Sequence, residues 1–126
     1  MLAKAERGVF SASAVTEVPK PYQQFFEYER PDDPKATVTM APELRRLITF
    51  RHLNLIGAWP FKGHFEALFC RNVMIYFDAP TKATLIDRFT QQVRTGKFLY
   101  IGHSESLLGM QSPLQLVGRT IYRRVQ

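Results

Sequence analysis

Phe69-Cys70-Arg71-Asn72-Val73-Met74-Ile75-Tyr76-Phe77 decides how this chain folds. It closes the run Phe65-Glu66-Ala67-Leu68-Phe69-Cys70, whose nearly continuous apolar character is that of a central parallel strand covered on both faces. Arg71-Asn72 breaks the run. Beyond it, Asp78-Ala79-Pro80-Thr81 supplies a cap and a proline tolerated in a first helical turn. Ala83, Leu85, Ile86, Phe89 and Val93 then recur as one apolar stripe, with Lys82, Asp87, Arg88 and Gln92 at the wetter positions and Gly96 expected to end the helix. Phe98-Leu99-Tyr100-Ile101 returns as a second strand, so residues 65–101 read as one strand-helix-strand unit with a parallel crossover. The fold class is α/β.

Working outward, Leu2-Ala3-Lys4-Ala5-Glu6 has a short helical tendency before Gly8, and the chain opens as though already inside an element. Tyr22 to Tyr28, with Phe25 and Phe26, can form one or two helical turns with an aromatic face, ended by the segment from Arg30 to Pro34. Thr37-Val38-Thr39-Met40 and Leu47-Ile48-Thr49-Phe50 read as short extended runs, giving a small antiparallel β excursion over approximately residues 20–50. At the other end, Leu114 to Val117 and Thr120 to Tyr122 flank Gly118-Arg119, a terminal hairpin over 114–124.

The 126 residues suit one modest domain, and a net charge of +6 favours acidic partners. The basic residues are scattered and form no arm or stripe, and no nucleic-acid-binding module is present, so no specific nucleic acid is expected. One cysteine, Cys70, cannot close an internal disulfide, which fits a reducing compartment. With no signal peptide and no run long enough to cross a bilayer, the expected location is the cytoplasm, without membrane insertion. His52, His64 and His103 are dispersed and Cys70 has no zinc-like partner, so no metal site is indicated.

Two polar clusters sit where strands should end. Asn54 and Asn72 each offer two donors and an acceptor, and from the residues alone each reads first as a turn cap. Arg71 suits a planar carboxylate or supports the strand end, and Tyr76 and Phe77 could line a cavity or pack. Gly102-His103-Ser104-Glu105-Ser106 lacks the final glycine of a nucleophile elbow, and Ser104 and Glu105 read as local caps. His103 could orient a carboxylate, or be a hydrogen-bonded structural histidine.

These pieces, taken in order, resemble the chemotaxis receptor methyltransferases of the CheR type, C-terminal part only. Leu2 to Phe10 resembles the helix and turn after that family's second strand, Asn54-Leu55 its segment after the third, Arg71-Asn72-Val73 the end of the fourth, and Gly102 to Ser106 the turn after the fifth. The resemblance implies an incomplete Rossmann-like fold, the C-terminal portion of a class I S-adenosylmethionine-dependent methyltransferase sheet. It implies Asn54, Leu55, Asn72 and Val73 as cofactor contacts, with Arg71, Tyr76 and His103 bordering the substrate or cofactor pocket, and no assigned catalytic residue. The implied activity is S-adenosylmethionine-dependent methylation of receptor glutamates. The family's N-terminal helical domain, glycine-containing first strand and acidic second strand find no match, so the chain is expected to be inactive alone. Its expected partners are the chemoreceptor cytoplasmic region, the missing N-terminal methyltransferase portion, or a second copy of itself. The alternative is a non-catalytic or partner-requiring interaction module derived from that family. Arg30 to Thr37 also replaces the glycine-containing loop of receptor-tethering members, which argues against tail-peptide binding.

Overall fold

The computed structural model describes residues 1–33, 35–107, 109 and 112–126, which divide into two compact units, 1–53 and 54–126. In the second unit, β4 (Phe65–Cys70) and β5 (Val93–Ile101) are parallel, and α4 (Ala79–Gln92) crosses between them. A hairpin of β6 (Leu114–Gly118) and β7 (Ile121–Arg124) completes a mixed sheet of order β4-β5-β7-β6, in which β7 runs antiparallel to both neighbours.

Asp78 starts α4 by accepting the Thr81 N–H at 3.0 Å, which satisfies one of the donors that every helix start leaves over. The helix buries Leu85, Ile86 and Phe89 against one face of the sheet, where Cys70, Leu99, Ile101 and Tyr122 are also buried. Alternation along β5 explains this: Leu99 and Ile101 point to the helix, while Phe98 and Tyr100 point away. Each such side chain contributes on the order of 1.5–3 kcal/mol by leaving water. At the far end of α4, the Arg124 guanidinium donates to the carbonyls of Thr90 at 2.9 Å and Val93 at 2.7 Å. The hairpin thus closes the helix end as well as the sheet.

The first unit is a three-stranded antiparallel sheet with β3 (Thr37–Met40) between β1 (Val9–Ser11) and β2 (Phe26–Tyr28). Val38 is fully buried among Ala12 and Val15, with Val18 and Phe26 packed beside them. Helix α1 (Leu2–Arg7) ends at Gly8, whose φ of 62° places it in the left-handed region. Two single turns, α2 (Lys20–Gln23) and α3 (Pro42–Arg45), flank the sheet, each with a proline in its first turn.

Several local expectations are corrected. Phe26–Tyr28 is a strand, because pairing with Val38 to Met40 prevails over an aromatic helical face. Leu47 to Phe50 forms no strand: the Leu47 and Ile48 N–H groups donate to Leu44 and Arg45 carbonyls, continuing the turn of α3. Val9–Ser11 is a strand that the sequence reading did not assign. Gly96 does not end α4, which stops at Gln92; with φ 81° it lies inside β5, where the register with β4 breaks. Among the described residues β4 is an edge strand and not a central one, and Phe69 is 67% exposed, stacked on Tyr100 at 4.3 Å. Ala83, expected on the apolar stripe, is exposed. Pro34, expected to end the early helix, lies outside the described residues.

Leu99→Ala should therefore destabilise the 54–126 unit by about 2–5 kcal/mol, whereas Leu47→Ala, at an 80% exposed position, should change stability by less than about 0.5 kcal/mol. Urea unfolding of both variants checks the pair. A Leu47→Ala loss as large as that of Leu99→Ala would contradict the turn seen after α3.

Candidate functional site

Parallel neighbours β4 and β5 end side by side, at Cys70 and Ile101. Each is followed by a polar turn, and one carboxylate ties the two turns together. Glu105, only 9% exposed, accepts backbone N–H groups from Val73 at 3.1 Å and Met74 at 2.7 Å on Oε1. Its Oε2 accepts those of Asn72 at 3.1 Å and Gly102 at 2.6 Å. A buried charge is tolerated only when so satisfied. Burial pushes the Glu105 carboxyl up, but the four N–H groups, led by Gly102, outweigh it and hold the group below its ordinary value of 4.5.

The close approach of the two turns requires Gly102. A β-carbon there would meet Asn72 Oδ1 and Glu105 Oε2 at 2.6 Å and the Asn72 nitrogen at 2.9 Å. Asn72 itself has φ 59°, a left-handed conformation that asparagine adopts more readily than most residues. That gives the residue a backbone reason to be present. Beneath the turn, Cys70 is buried, and desolvation followed by the Glu105 charge pushes its thiol up to about 11. It is protonated at neutral pH and inert.

Asn54 and Leu55 begin a second segment of the same unit. The Asn54 carboxamide oxygen accepts the Ile56 N–H at 3.0 Å, an Asx turn. The Leu55 carbonyl accepts both the Trp59 indole N–H at 3.0 Å and Arg88 Nη1 at 2.8 Å, and Arg88 also reaches the Gly57 carbonyl at 2.9 Å. Arg88 lies 5.2 Å from the Trp59 ring centroid, and Trp59 packs on Phe89 of α4. Helix α4 therefore holds this segment through a residue that periodicity assigned to solvent.

Of the predicted residues, Asn54 and Asn72 are exposed, and Leu55 and Val73 are half-buried against the same core. Arg71 and His103 are exposed, without a hydrogen bond or ion pair among the described residues, and the Tyr76 side chain is 80% exposed. A cavity of about 230 Å³ opens between Met74-Ile75, Lys82 and the Ser104–Leu107 loop. None of the predicted residues is among those lining it. Sequence reading missed the long reach of Glu105 and Arg88. The only local signal was an acidic residue three places after a glycine at a strand end, and nothing in the sequence links Glu105 to Asn72.

An α/β sheet that delivers polar turns to the carboxyl ends of adjacent parallel strands has the general form of a ligand-binding α/β domain. Residues 1–123 match the family described as CheR methyltransferase, SAM binding domain, and the chain belongs to that family. It is 40% identical over 125 residues to a probable chemotaxis protein methyltransferase of Rhizobium etli, covering 98% of this chain and 46% of that protein. It is 37% identical over 121 residues to chemotaxis protein methyltransferase 2 of Pseudomonas aeruginosa, covering 94% and 42%, and 33% identical over 125 residues to the chemotaxis protein methyltransferase of Escherichia coli, covering 97% and 43%. The chain thus spans less than half the length of these curated relatives. Its mixed sheet is consistent with part of a class I methyltransferase fold. Among the described residues no helix is long and apolar enough to cross a membrane.

Because the Glu105 carboxyl titrates below its ordinary value when folded, its ionised form adds stability that is fully present above that value and lost as pH falls through the lower one. Thermal unfolding followed from about pH 7 to about pH 3 should show Glu105→Gln less stable at neutral pH and less sensitive to acid than the parent. Equal acid slopes would contradict this role for the carboxylate.

Proposed function

We propose that this chain supplies the β4–β5 side of an S-adenosylmethionine pocket in a protein-glutamate O-methyltransferase that acts, in the cytoplasm, on the cytoplasmic region of chemotaxis receptors. The observation that carries the reading is the shared anchor at the sheet end, which holds the Asn72-Val73-Met74 turn beside the loop after β5. Family membership supports it. The residues present fit the cofactor: Asn54 and Asn72 are exposed and each has a carboxamide nitrogen to donate, and Leu55 and Val73 are apolar flanks rooted in one core, suited to an adenine ring. In this reading those four hold the cofactor, and Arg71, Tyr76 and His103 border the pocket.

S-adenosylmethionine, when bound, supplies a methyl group on a sulfonium, whose transfer to a glutamate oxygen leaves a methyl ester and a thioether. An ionised carboxylate is already a nucleophile, so the protein's residues have to align it and exclude water, not deprotonate it. Neither His103 nor Tyr76 is needed as a base.

A second reading, a non-catalytic or partner-requiring interaction module, is favoured by the β4 edge and by exposed Phe69 and Phe65 on that strand. An edge with unpaired backbone groups beside aromatic surface is a template for another chain. The partner proposed is a segment corresponding to the rest of the relatives' length, or a second copy of this chain.

Calorimetric titration with S-adenosylhomocysteine separates the readings, using the chain alone and co-expressed with a segment corresponding to the remainder of the Rhizobium etli relative. About one ligand per assembly is expected. A monodisperse, cooperatively folded assembly that binds none would sink the methyltransferase reading and leave the interaction module. In the binding assembly, Asn72→Gly should lower affinity about tenfold at nearly unchanged stability, since glycine accepts the left-handed conformation. Unchanged affinity would mean that Asn72 serves its backbone alone.

A further inference from the structure

We infer that Glu105 is a positioning residue for the Asn72 carboxamide, holding it in the orientation in which it meets the cofactor. This rests on the cofactor reading above and assigns a role to a residue that does not itself touch ligand.

The case begins with capacity. An ionised carboxylate offers about four acceptor positions, and in Glu105 all are taken by main-chain N–H groups, two on each oxygen. The side chain is buried and has no acceptor left for a substrate proton or a ribose hydroxyl. Catalysis by Glu105 as a base is thereby excluded. What the four bonds do is geometric: three fix consecutive nitrogens of residues 72 to 74, and the fourth fixes the first residue beyond β5. A single rigid group thus sets the left-handed backbone of Asn72, and with it the direction in which the side chain of this exposed residue leaves the backbone.

Gly102 sets the same geometry from the other side. Its missing side chain is the space into which Asn72 Oδ1 and Glu105 Oε2 fit, both 2.6 Å from where a β-carbon would stand. The Asn54-Leu55 segment has a separate anchor in Arg88 and Trp59. Glu105 therefore acts on one half of the proposed contact set and leaves the other half alone.

A double-mutant cycle on methyl transfer by the assembled protein tests this. Glu105→Gln keeps the shape but replaces one acceptor oxygen by an NH2 group that faces N–H donors. We expect it to raise KM for S-adenosylmethionine about tenfold or more while kcat changes less than about threefold. In an Asn72→Gly background the same substitution should change KM less than about twofold, because the carboxamide it orients is gone. In an Arg88→Lys background it should keep its full effect. A KM loss of equal size with and without the Asn72 carboxamide would overturn the positioning role and leave general destabilisation. If Glu105→Gln does not fold, Gly102→Ala presses on the same two oxygens and is read in the same cycle. An unchanged KM for Gly102→Ala would also overturn the inference. A wild-type assembly without cofactor binding overturns this inference together with the reading it rests on. Normal wild-type turnover with an unaltered Glu105→Gln KM overturns the inference alone.

Discussion

The Glu105 carboxylate is the constraint from which the site end of the sheet follows. Four main-chain donors converge on it from two strand ends that are remote in sequence and adjacent in space. Nothing weaker would hold a left-handed asparagine against a glycine at such close approach, because an unpartnered N–H in that crowded, half-buried place would itself cost on the order of 1–3 kcal/mol. The parallel pairing of β4 and β5 brings the two turns together, and the carboxylate converts neighbouring ends into one rigid surface. Cys70 lies beneath it, and burial first, with the same charge second, drives its thiol up.

A second anchor has the opposite sign. Arg88 sends one nitrogen to two carbonyls of the 55–57 segment while its guanidinium faces Trp59. An anion thus gathers donors at one turn and a cation gathers acceptors at the other, each satisfying backbone groups that no ladder or helix serves. Lysine could offer a donor to the carbonyls but not the planar guanidinium that faces Trp59.

Period and punctuation made much of the sheet legible. The run ending at Cys70, the Asp78 cap and the alternation at Leu99 and Ile101 all act through near neighbours, and such signals survive in a single sequence. The errors lie where a distant partner decides. Phe26–Tyr28 and Val9–Ser11 become strands because each pairs with β3, and Leu47 to Phe50 forms no strand, its first two residues continuing a turn. The site followed the same division. Asn72 was visible as a polar residue at a strand end and Asn54 as a candidate turn cap, whereas Glu105 read as a local cap and Arg88 as a wet helical position. Apart from Gly102, the backbone groups they bind lie 31 to 33 residues away, beyond any periodic pattern.

Trp59 is the chain's single tryptophan, and it is bonded to the Leu55 carbonyl, faced by Arg88 and packed on Phe89. Its emission consequently has one origin, the segment that carries Asn54 and Leu55. The fold has placed a native optical probe at the root of that segment, so any event that shifts it writes itself into the intrinsic fluorescence without an added label. The five tyrosines lie elsewhere in the chain, and excitation at the red edge, beyond their absorption, reads the tryptophan alone.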